Sequence, residues 1–503
     1  MSTASRIRCA DLNDRIMSAK EAAALIPNGV NVGMSGFTGA GYPKAIPQAL
    51  ADHIREQREQ GTEYKIGVFT GASTAPELDG VLSEVNGMSF RIPYQSDPIG
   101  RKNINEGRMD YMDVHLSHLG PDVAAGFYGK LEVAVIEVVG ITEEGHLIPS
   151  SSVGNNKTWI DVADKVILEV NHGQPAGLEG MHDIYQEDFL PPHRQPIPVI
   201  KAEDRVGTPY IKCPKEKIVA IVETNSTDRN SRFSEPDEAC KQIAENILQF
   251  FDDEINAGRL PKELLPIQSG VGNIANAVLA GLNDGPYKNL TSYTEVLQDG
   301  MLEMLKSGTL KMASCTSFSL SPEANQELAE NIEEFKDKIM LRQQEVSNHP
   351  EVIRRLGIIA MNGMIEADIY GNVNSTHVMG TRVMNGIGGS GDFARNGYLS
   401  IFMTPSLAKG GAISTIVPMV SHVDHTEHDV QIIVTEQGLA DLRGLCPRKR
   451  ALEVINKCAH PDYRDRLLDY YERACNNGRG QHTPHNLAEA LSWHENFEET
   501  GKM

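Results

Sequence analysis

The residues best suited to do chemistry form one short stretch, Thr291-Ser-Tyr-Thr-Glu-Val-Leu-Gln-Asp-Gly300. Its apolar and β-prone residues predict a strand that runs into a glycine turn, with Glu295 near the strand's end. Open α/β sheets place their reactive groups at this edge. A carboxylate can act as a covalent nucleophile, and it suits acyl exchange between a thioester and an acid, because each step replaces one acyl donor by another. We therefore predict that Glu295 carries an acyl group covalently.

Two glycine-rich loops could serve this carboxylate. The first, Gln268-Ser-Gly-Val-Gly-Asn273, follows a predicted strand from Leu264 to Ile267 and precedes a helical run from Ile274 to Leu282. The second is Met384-Asn-Gly-Ile-Gly-Gly-Ser-Gly-Asp392. Amides at a helix start or in such a loop can hold a phosphate or a developing oxyanion. Farther along, Lys409-Gly-Gly411 offers a cation for a phosphate. We predict that these loops meet around Glu295.

The first loop also allows an interpretation from another class of enzyme. Gly270-Val-Gly-Asn-Ile-Ala275 fits the pattern G-x-G-x-x-A, and Glu295, about twenty residues farther on, would be the ribose ligand of an NAD(P)-dependent dehydrogenase. Short matches of this kind arise often. Each loop is also compatible with a plain turn that binds nothing, and an isolated glutamate is more often solvated than reactive.

A histidine cluster raises the possibility of a metal hydrolase. His422, Asp424 and His425 are residue types that bind metals. Their spacing, however, is that of a strand-like alternation and not the H-E-x-x-H arrangement on a helix. We therefore predict no metal site.

The elements around these residues alternate in type. A helix is predicted over residues 14–27, a strand over residues 30–35 before the glycine loop Gly36-Phe-Thr-Gly-Ala-Gly41, a second helix over residues 44–58 and a second strand over residues 65–70. Strand, glycine turn and helix in alternation predict an α/β fold with a mostly parallel sheet.

The same order of elements recurs later in the chain, which predicts an internal duplication. Four pairs of segments correspond in order: Ser35-Gly36 with Ser269-Gly270, Val68–Gly71 with Ser292–Glu295, Glu132–Gly145 with Gly357–Gly371, and Val166–Gly173 with Gln431–Gly438. The period is too long for a solenoid, so two related α/β domains are the simpler interpretation.

The predicted domains span residues 1–228 and 229–503, and the second ends in helices over residues 448–458, 463–476 and 486–497. The first half has Gly71 after its strand where the second has Glu295. A reactive carboxylate in only one copy predicts a single active site, in the cleft between the two open α/β domains.

Composition excludes several classes of protein. The 503 residues carry a net charge of −21, with 68 acidic against 47 basic side chains, which argues against general nucleic-acid binding. No apolar run approaches the roughly 18 residues of a membrane helix, and the first residues lack the pattern of a secretory signal. The seven cysteines are scattered without a C-x-x-C pair, which indicates free thiols and a cytoplasmic protein.

Five motifs in the chain are long and specific: Ser35–Lys44, Gln268–Asn273, Tyr293–Met301, Asn385–Phe393 and Val434–Gly444. These motifs resemble the acetyl-CoA hydrolase/transferase family, within the class I CoA-transferases. The similarity extends from about residue 7 to the end of the chain, with no departure at the motif positions. Within the family they are most similar to the branch that uses succinyl-CoA and acetate, which we expect to be the substrates.

The resemblance implies a mechanism and a set of residues. Glu295 would attack the acyl-CoA carbonyl and later hold CoA as a glutamyl thioester, with the amides of Val271 and Gly389 as the oxyanion hole. CoA would be bound as a substrate, with no tightly bound cofactor, by Gln268, Ser269, Gly270, Val271, Gly272, Asn385, Gly389 and Lys409. In the carboxylate pocket Arg229 would pair with the acid, Asn348 would hydrogen-bond it and Glu436 would help to position it.

The main alternative activity within the family is hydrolysis, which depends on whether water reaches the covalent intermediates. Attack of water on the anhydride or on the glutamyl thioester would turn the transferase into an acetyl-CoA hydrolase, unless closure around CoA excludes water. The resemblance further implies a homodimer that acts on acyl-CoA and small carboxylic acids.

Overall fold

The computed structural model describes residues 5–186, 188, 190–229 and 235–503. Contacts within the chain group it into two compact units: the first is Met1–Arg232, Ser292–Leu305 and Lys311–Arg355, and the second is Phe233–Thr291, Lys306–Leu310 and Leu356–Met503. Packing therefore groups Glu295 with the N-terminal half. The sequence boundary near residue 228 concerns ancestry rather than packing, and it stays a prediction.

The first unit is built on a mostly parallel sheet of eight strands. Its strands, in spatial order, are Asp110–Tyr111, Met88–Ile92, Ile66–Phe69, Asn31–Met34, Val133–Ile141, Lys165–Asn171 and Ile218–Thr224, and Leu147–Pro149 pairs antiparallel with Val133–Ile141. All nine residues of Val133–Ile141 are buried. A fully buried strand that is apolar except at Glu137 and Gly140 is expected in a parallel sheet with both faces covered.

The first unit contains further helices and strands outside this sheet. Its α-helices are Ala19–Ala23, Ala45–Glu59, Val81–Glu84, Pro98–Asn105, Leu116–Ala124, Asn156–Val162, Pro322–Glu330, Ile332–Phe335 and Gln344–Ser347. Its other strands are the parallel pairs Val296–Gln298 with Ser317–Ser319 and His182–Asp183 with Ile339–Arg342. Four elements contain residues of both units: Leu290–Tyr293, Leu310–Cys315, Asp299–Ser307 and Pro350–Leu356.

The second unit also has a sheet at its centre. Its strands lie in the order Gly438–Asp441, Ile432–Thr435, Leu399–Met403, Ile359–Gly363 and Ile267–Ser269, all parallel except the first. Its α-helices are Glu238–Asn256, Asn273–Asp284, Ser390–Asn396, Pro447–Cys458, Pro461–Asn476 and Ser492–Thr500. Short strands add three small sheets: Glu366–Asp368 with Val373–Asn374 and Ile416–Val417, His377–Val378 with Arg382–Val383, and Leu407–Ala408 with Ile413–Ser414. The α/β fold with parallel sheets is therefore confirmed.

Strand registers support the predicted duplication. Met34 pairs with Val135 in the first unit, and Gln268 pairs with Ala360 in the second. Since Ser35 corresponds to Ser269, these two pairs occupy equivalent places in their sheets.

The fourth segment pair of the duplication was wrong. The strand beside Val133–Ile141 is Lys165–Asn171, but the strand in that place in the second unit is Leu399–Met403. Ile432–Thr435 lies one strand farther out, where the first unit has Ile218–Thr224. Short, fully buried strands share one apolar pattern, so sequence could not distinguish them.

Three predicted elements have different bounds. The region predicted as a helix over residues 14–27 starts in the last residues of a 3₁₀ helix, Ala10–Arg15, and then contains the short α-helix Ala19–Ala23. The side chain of Ser18 precedes this helix and forms a capping box with Glu21. The strand predicted from Leu264 begins only at Ile267, because Pro266 has no N–H for a ladder. The helix predicted over residues 486–497 is Ser492–Thr500.

Two further features bear on the composition argument. Within the described residues, every α-helix is too short or too polar to cross a membrane. All seven cysteines lie in the described part of the chain and are free thiols, and five of them are buried.

Candidate active site

Glu295 lies at a bend between the strands Leu290–Tyr293 and Val296–Gln298. Its backbone carbonyl accepts hydrogen bonds from the amides of Thr316 and Ser317, at 2.8 and 3.1 Å. The side chain is half-buried. The prediction of a position just after a strand is confirmed, and these main-chain contacts fix the point from which the carboxylate projects.

Asn348 orients the Glu295 carboxylate. Its Nδ2 donates to Glu295 Oε1 at 2.9 Å, across 53 residues of sequence. Asn348 is itself buried at the end of the helix Gln344–Ser347, and the Ser347 hydroxyl donates to its Oδ1 at 2.8 Å. Because its oxygen is occupied, the amide turns its N–H toward the carboxylate. Two of the predicted site residues are therefore in direct contact.

An apolar wall lies beside this pair. Val296 packs with Phe37, Ala72 and Leu116, and Tyr94 packs against the same cluster. Burial, with smaller contributions from the charges of Asp113 and Glu295, raises the pKa of Tyr94 to about 12. The phenol therefore keeps its proton at neutral pH. Sequence reasoning missed Tyr94, because a single tyrosine after a proline carries no motif.

Arg229 of the first unit is paired with Glu77. Its Nε lies 2.6 Å from Glu77 Oε1, and its side chain is 67% exposed. Its backbone N–H donates to the Gly39 carbonyl at 3.1 Å. A cation held at one end and exposed at the other can receive an anion from solution.

In the second unit the loop before the helix Asn273–Asp284 is open. Val271 is 46% exposed, and Gly272 has φ of +144°, with no atom within 4 Å of where a Cβ would stand. The side chain of Gln268 is buried and spans two strands: it accepts from the Met361 amide and donates to Asn362 Oδ1, both at 3.1 Å. Ser269 Oγ donates to the Gly270 carbonyl at 3.2 Å. The side chain of Gln268 therefore holds the start of the loop against the neighbouring strand Ile359–Gly363.

The other predicted ligand-binding loops of the second unit are also turns. Asn385 Nδ2 donates to the carbonyls of Gly386 and Ser375, at 2.8 and 3.2 Å. Gly389 precedes the first residue of the helix Ser390–Asn396. Lys409 is exposed in a 3₁₀ turn with φ of +47°, and its Nζ lies 4.7 Å from the centre of the Phe497 ring.

Glu436 is engaged by neighbouring donors in the second unit. It accepts hydrogen bonds from the Ser406 hydroxyl, from the Ser406 amide at 2.8 Å and from Gln437 Nε2 at 3.0 Å. Burial raises its pKa, but the Ser406 and Gln437 hydrogen bonds outweigh burial and hold the pKa of Glu436 below its usual range. Glu436 is therefore a fixed anion at neutral pH.

The histidines considered as metal ligands have other partners. Asp424 accepts from the Ser375 amide at 2.6 Å and from the Thr376 hydroxyl, and His422 Nε2 lies 3.3 Å from Asp424. His425 is buried, with Nε2 3.1 Å from Ser390 Oγ. Among the described residues, no three His, Cys, Asp or Glu side chains are placed to hold a metal ion.

Comparison with known proteins identifies the family. Models of the N-terminal and C-terminal domains of acetyl-CoA hydrolase/transferase match residues 2–223 and 325–471. The chain belongs to the acetyl-CoA hydrolase/transferase family. It is accordingly an enzyme of the CoA-transferase type, as the motifs predicted, and this membership favours the thioester chemistry over the dehydrogenase interpretation.

Three curated relatives cover nearly the whole chain. A succinyl-CoA:acetate CoA-transferase of Clostridium kluyveri is 52% identical over 100% of this chain and 92% of its own. A propanoyl-CoA:succinate CoA transferase of Escherichia coli is 47% identical, over 97% and 98%. An acetyl-CoA hydrolase of Yarrowia lipolytica is 46% identical, over 99% and 98%. Relatives named as transferases and relatives named as hydrolases therefore have similar sequence identities to this chain.

The fold is shared more widely. The structure of RipA from Yersinia pestis superimposes with a TM-score of 0.71 at 22% identity, over 92% of this chain and 98% of that one. At this identity the likeness establishes the fold alone.

Proposed function

We propose that the enzyme moves CoA between an acyl-CoA and a small carboxylate through a covalent glutamyl thioester on Glu295. The observation that carries this proposal is the contact between Asn348 Nδ2 and Glu295 Oε1, at 2.9 Å on a half-buried carboxylate. A nucleophile needs a defined direction of attack, and a buried amide supplies one without taking the charge away.

The reaction needs no water, metal or redox partner for its balance. A Glu295 oxygen attacks the acyl-CoA carbonyl, the C–S bond breaks, and an acyl-glutamyl anhydride and CoA thiolate form. The thiolate then attacks the glutamyl carbonyl, the anhydride C–O bond breaks, and the first acid leaves. A second carboxylate reverses both steps and departs as the new acyl-CoA.

We assign the loops of the second unit to CoA and to the oxyanion. The amides of Val271 and Gly389 would stabilise the tetrahedral oxyanion, and Lys409 would pair with a phosphate of CoA. Gln268, Ser269, Gly270, Gly272 and Asn385 would shape the CoA-binding loops. Support comes from the exposure of Val271 and Lys409 and from the open space around Gly272.

Arg229, with its exposed guanidinium, would bind the substrate carboxylate, with Asn348 and Glu436 as further pocket residues. Succinyl-CoA and acetate are the proposed pair, since the 52% identical relative is named for them. Acetyl-CoA hydrolysis is the second candidate, because relatives with that name are 46% identical. We also propose a homodimer, which light scattering would test.

The decisive experiment targets Glu295. Incubation with acyl-CoA followed by borohydride should reduce the glutamyl thioester and inactivate the enzyme, with the mass change located on the peptide that contains Glu295. Glu295→Ala should lower transfer by about a thousandfold or more, because the covalent route is lost. Exposed Glu303 supplies a matched control, Glu303→Ala, which should retain activity.

Retention of transfer by Glu295→Ala, or survival of activity after borohydride, would contradict the proposal. Product analysis separates the two candidates: release of free CoA from acetyl-CoA without an acceptor acid favours hydrolysis. Formation of acetyl-CoA only in the presence of succinyl-CoA and acetate favours transfer.

A further inference from the structure

We propose that Glu77 is a positioning residue that sets the orientation in which Arg229 receives the substrate carboxylate. The inference rests on the proposed role of Arg229 and extends it to a residue outside the family motifs described above. Glu77 lies in a single π-helical turn, Pro76–Gly80, which has no glycine loop or catalytic motif of its own.

The geometry of the ion pair leaves one edge of Arg229 for substrate. Glu77 Oε1 approaches Nε at 2.6 Å, which is a charge-assisted hydrogen bond. A guanidinium is planar and carries five N–H donors, so a carboxylate at Nε leaves the edge between the terminal nitrogens in a defined plane. That edge can form the two parallel hydrogen bonds that a carboxylate accepts.

The Glu77 carboxylate is itself fixed by a second partner, unlike the carboxylate of an isolated ion pair on the surface. Its Oε2 accepts from the Tyr42 hydroxyl at 3.0 Å, while Oε1 faces Arg229. Tyr42 is fully buried, and burial raises its pKa, so it remains a donor. Each oxygen of Glu77 thus has a separate partner, and the carboxylate plane is determined by a core residue.

The backbone of Arg229 is fixed independently. Its N–H donates to the Gly39 carbonyl at 3.1 Å. The preceding residue, Asp228, accepts from the Gly41 amide at 3.1 Å and pairs with the buried ammonium of Lys44 at 2.9 Å. Because the main chain of Arg229 is anchored to the loop that contains Gly39 and Gly41, and its side chain to Glu77, a small set of Arg229 conformations remains.

Positioning and competition predict opposite results. If Glu77 positions Arg229, its removal weakens recognition of the acid. If Glu77 instead occupies Arg229 and must be displaced, its removal strengthens recognition. The sign of the change in KM for the acceptor acid therefore separates the two roles.

The experiment compares Glu77→Ala and Glu77→Gln in the full-length enzyme. We expect Glu77→Ala to raise the KM for the acceptor carboxylate about threefold to tenfold, with the KM for acyl-CoA and kcat changed less than twofold, since the pair is partly exposed. Glu77→Gln keeps an oxygen for Nε and a polar contact for Tyr42, and should restore most of the loss. Exposed Glu84 nearby gives the control Glu84→Ala, which should leave all three constants unchanged.

Combination with Arg229→Ala tests whether Glu77 acts through Arg229. In that background, Glu77→Ala should cause no further loss in kcat/KM for the acid. An equal further loss, an unchanged or lower KM in the single variant, or a rise in both KM values would each overturn the inference. Failure of the wild-type enzyme to transfer CoA would instead refute the proposed function, so the two failures are distinguishable.

Discussion

The two units differ at one pair of equivalent positions, which lie opposite each other on two neighbouring parallel strands of each sheet. In the first unit the cross-strand pair is Glu137 with Glu169, and in the second it is Asn362 with Phe402. Glu169 is fully buried and accepts from the amides of residues 44, 45 and 46 at 2.8 to 3.2 Å, so it caps the helix Ala45–Glu59. The first unit supplies its own anion to a helix start that follows a glycine loop.

The charge of that helix start is balanced from within the unit. Lys44 Nζ lies 2.6 Å from Glu137 and 2.9 Å from Asp228, and its side chain is only 4% exposed. Burial lowers the pKa of Lys44, but Asp228 and Glu137 outweigh it and hold that pKa above its usual range. Burial raises the pKa of Glu137 to about 7. The buried groups Lys44, Glu137 and Asp228 therefore stabilise the fold of the first unit.

The loop glycines of the two units also differ in how closely they are packed, as Gly71 and Gly270 illustrate, although these two are not equivalent positions. A Cβ on Gly71 would stand 2.9 Å from the Gly36 carbonyl oxygen and from Gly154 Cα, so the loops of the first unit are packed backbone against backbone. A Cβ on Gly270 would meet nothing closer than 3.6 Å. In the first unit glycine permits close packing, and in the second it leaves room above the loop.

A helix start that follows a glycine loop occurs in both units, but within the described residues only the first unit places a carboxylate of its own chain there. In the first unit a carboxylate of the chain occupies the place that an external anion would take at a helix start. In the second unit the equivalent strand position is Phe402, which cannot perform that role. This contrast supports the proposal that the helix start at Asn273 binds the CoA phosphates or an oxyanion.

The largest expected contrast is between two lysines, Lys44 and Lys409. Lys44→Met should lower the free energy of unfolding by about 3–5 kcal/mol, because it leaves Glu137 and Asp228 buried without their cation. Lys409→Met should change it by less than about 0.5 kcal/mol, since the side chain is exposed. The same variant should raise the KM for acyl-CoA about tenfold if the ammonium binds a phosphate.

Urea unfolding followed by circular dichroism measures the first effect, and initial rates at varied acyl-CoA measure the second. Equal losses of stability in the two variants would contradict the division into structural and ligand-binding lysines.

A smaller contrast is expected between Gly71 and Gly270. Gly71→Ala should destabilise the protein by about 2–3 kcal/mol, because the new methyl group overlaps backbone atoms that cannot move aside cheaply. Gly270→Ala should cost less than about 1 kcal/mol but raise the KM for acyl-CoA, as a methyl group would occupy the space above the loop. Thermal unfolding and steady-state kinetics on both variants test this, and a stability loss in Gly270→Ala as large as in Gly71→Ala would refute it.

The sequence predicted the elements whose signals are local. The strand that ends at Ser269 and the helix Asn273–Asp284 are marked by an apolar run and a glycine loop, and both exist within a few residues of their predicted bounds. Position in the sheet is not local. The strand Ile432–Thr435 was therefore matched to the wrong partner, although its existence and type were predicted.

The residues of the candidate site likewise divide into those with a local sequence signal and those without one. Glu295 was identified from its place after a strand, whereas Asn348 was named only through family resemblance and as a ligand of the substrate acid. Its hydrogen bond to Glu295, 53 residues away, was not predicted. Tyr94 had no signal, because its proximity to Glu295 depends on how two loops fold together. The grouping of Glu295 with the first unit was likewise not predicted, because it depends on contacts between residues far apart in sequence, such as the packing of Val296 against Phe37 and Leu116.

The smallest predicted effect tests the internal anion itself. Glu169→Gln should lower the free energy of unfolding by about 1–2 kcal/mol, because the new amide turns an N–H toward the backbone N–H groups that the carboxylate accepts. Exposed Glu59 ends the same helix and provides the control: Glu59→Gln should be neutral or slightly stabilising, since a negative charge is unfavourable at a helix C-terminus. Chemical denaturation of both variants decides the matter. If Glu169→Gln lowered the free energy of unfolding no more than Glu59→Gln, the Glu169 carboxylate would not be the cap of this helix. The inferred difference between the two units at Glu169 and Phe402 would then be refuted.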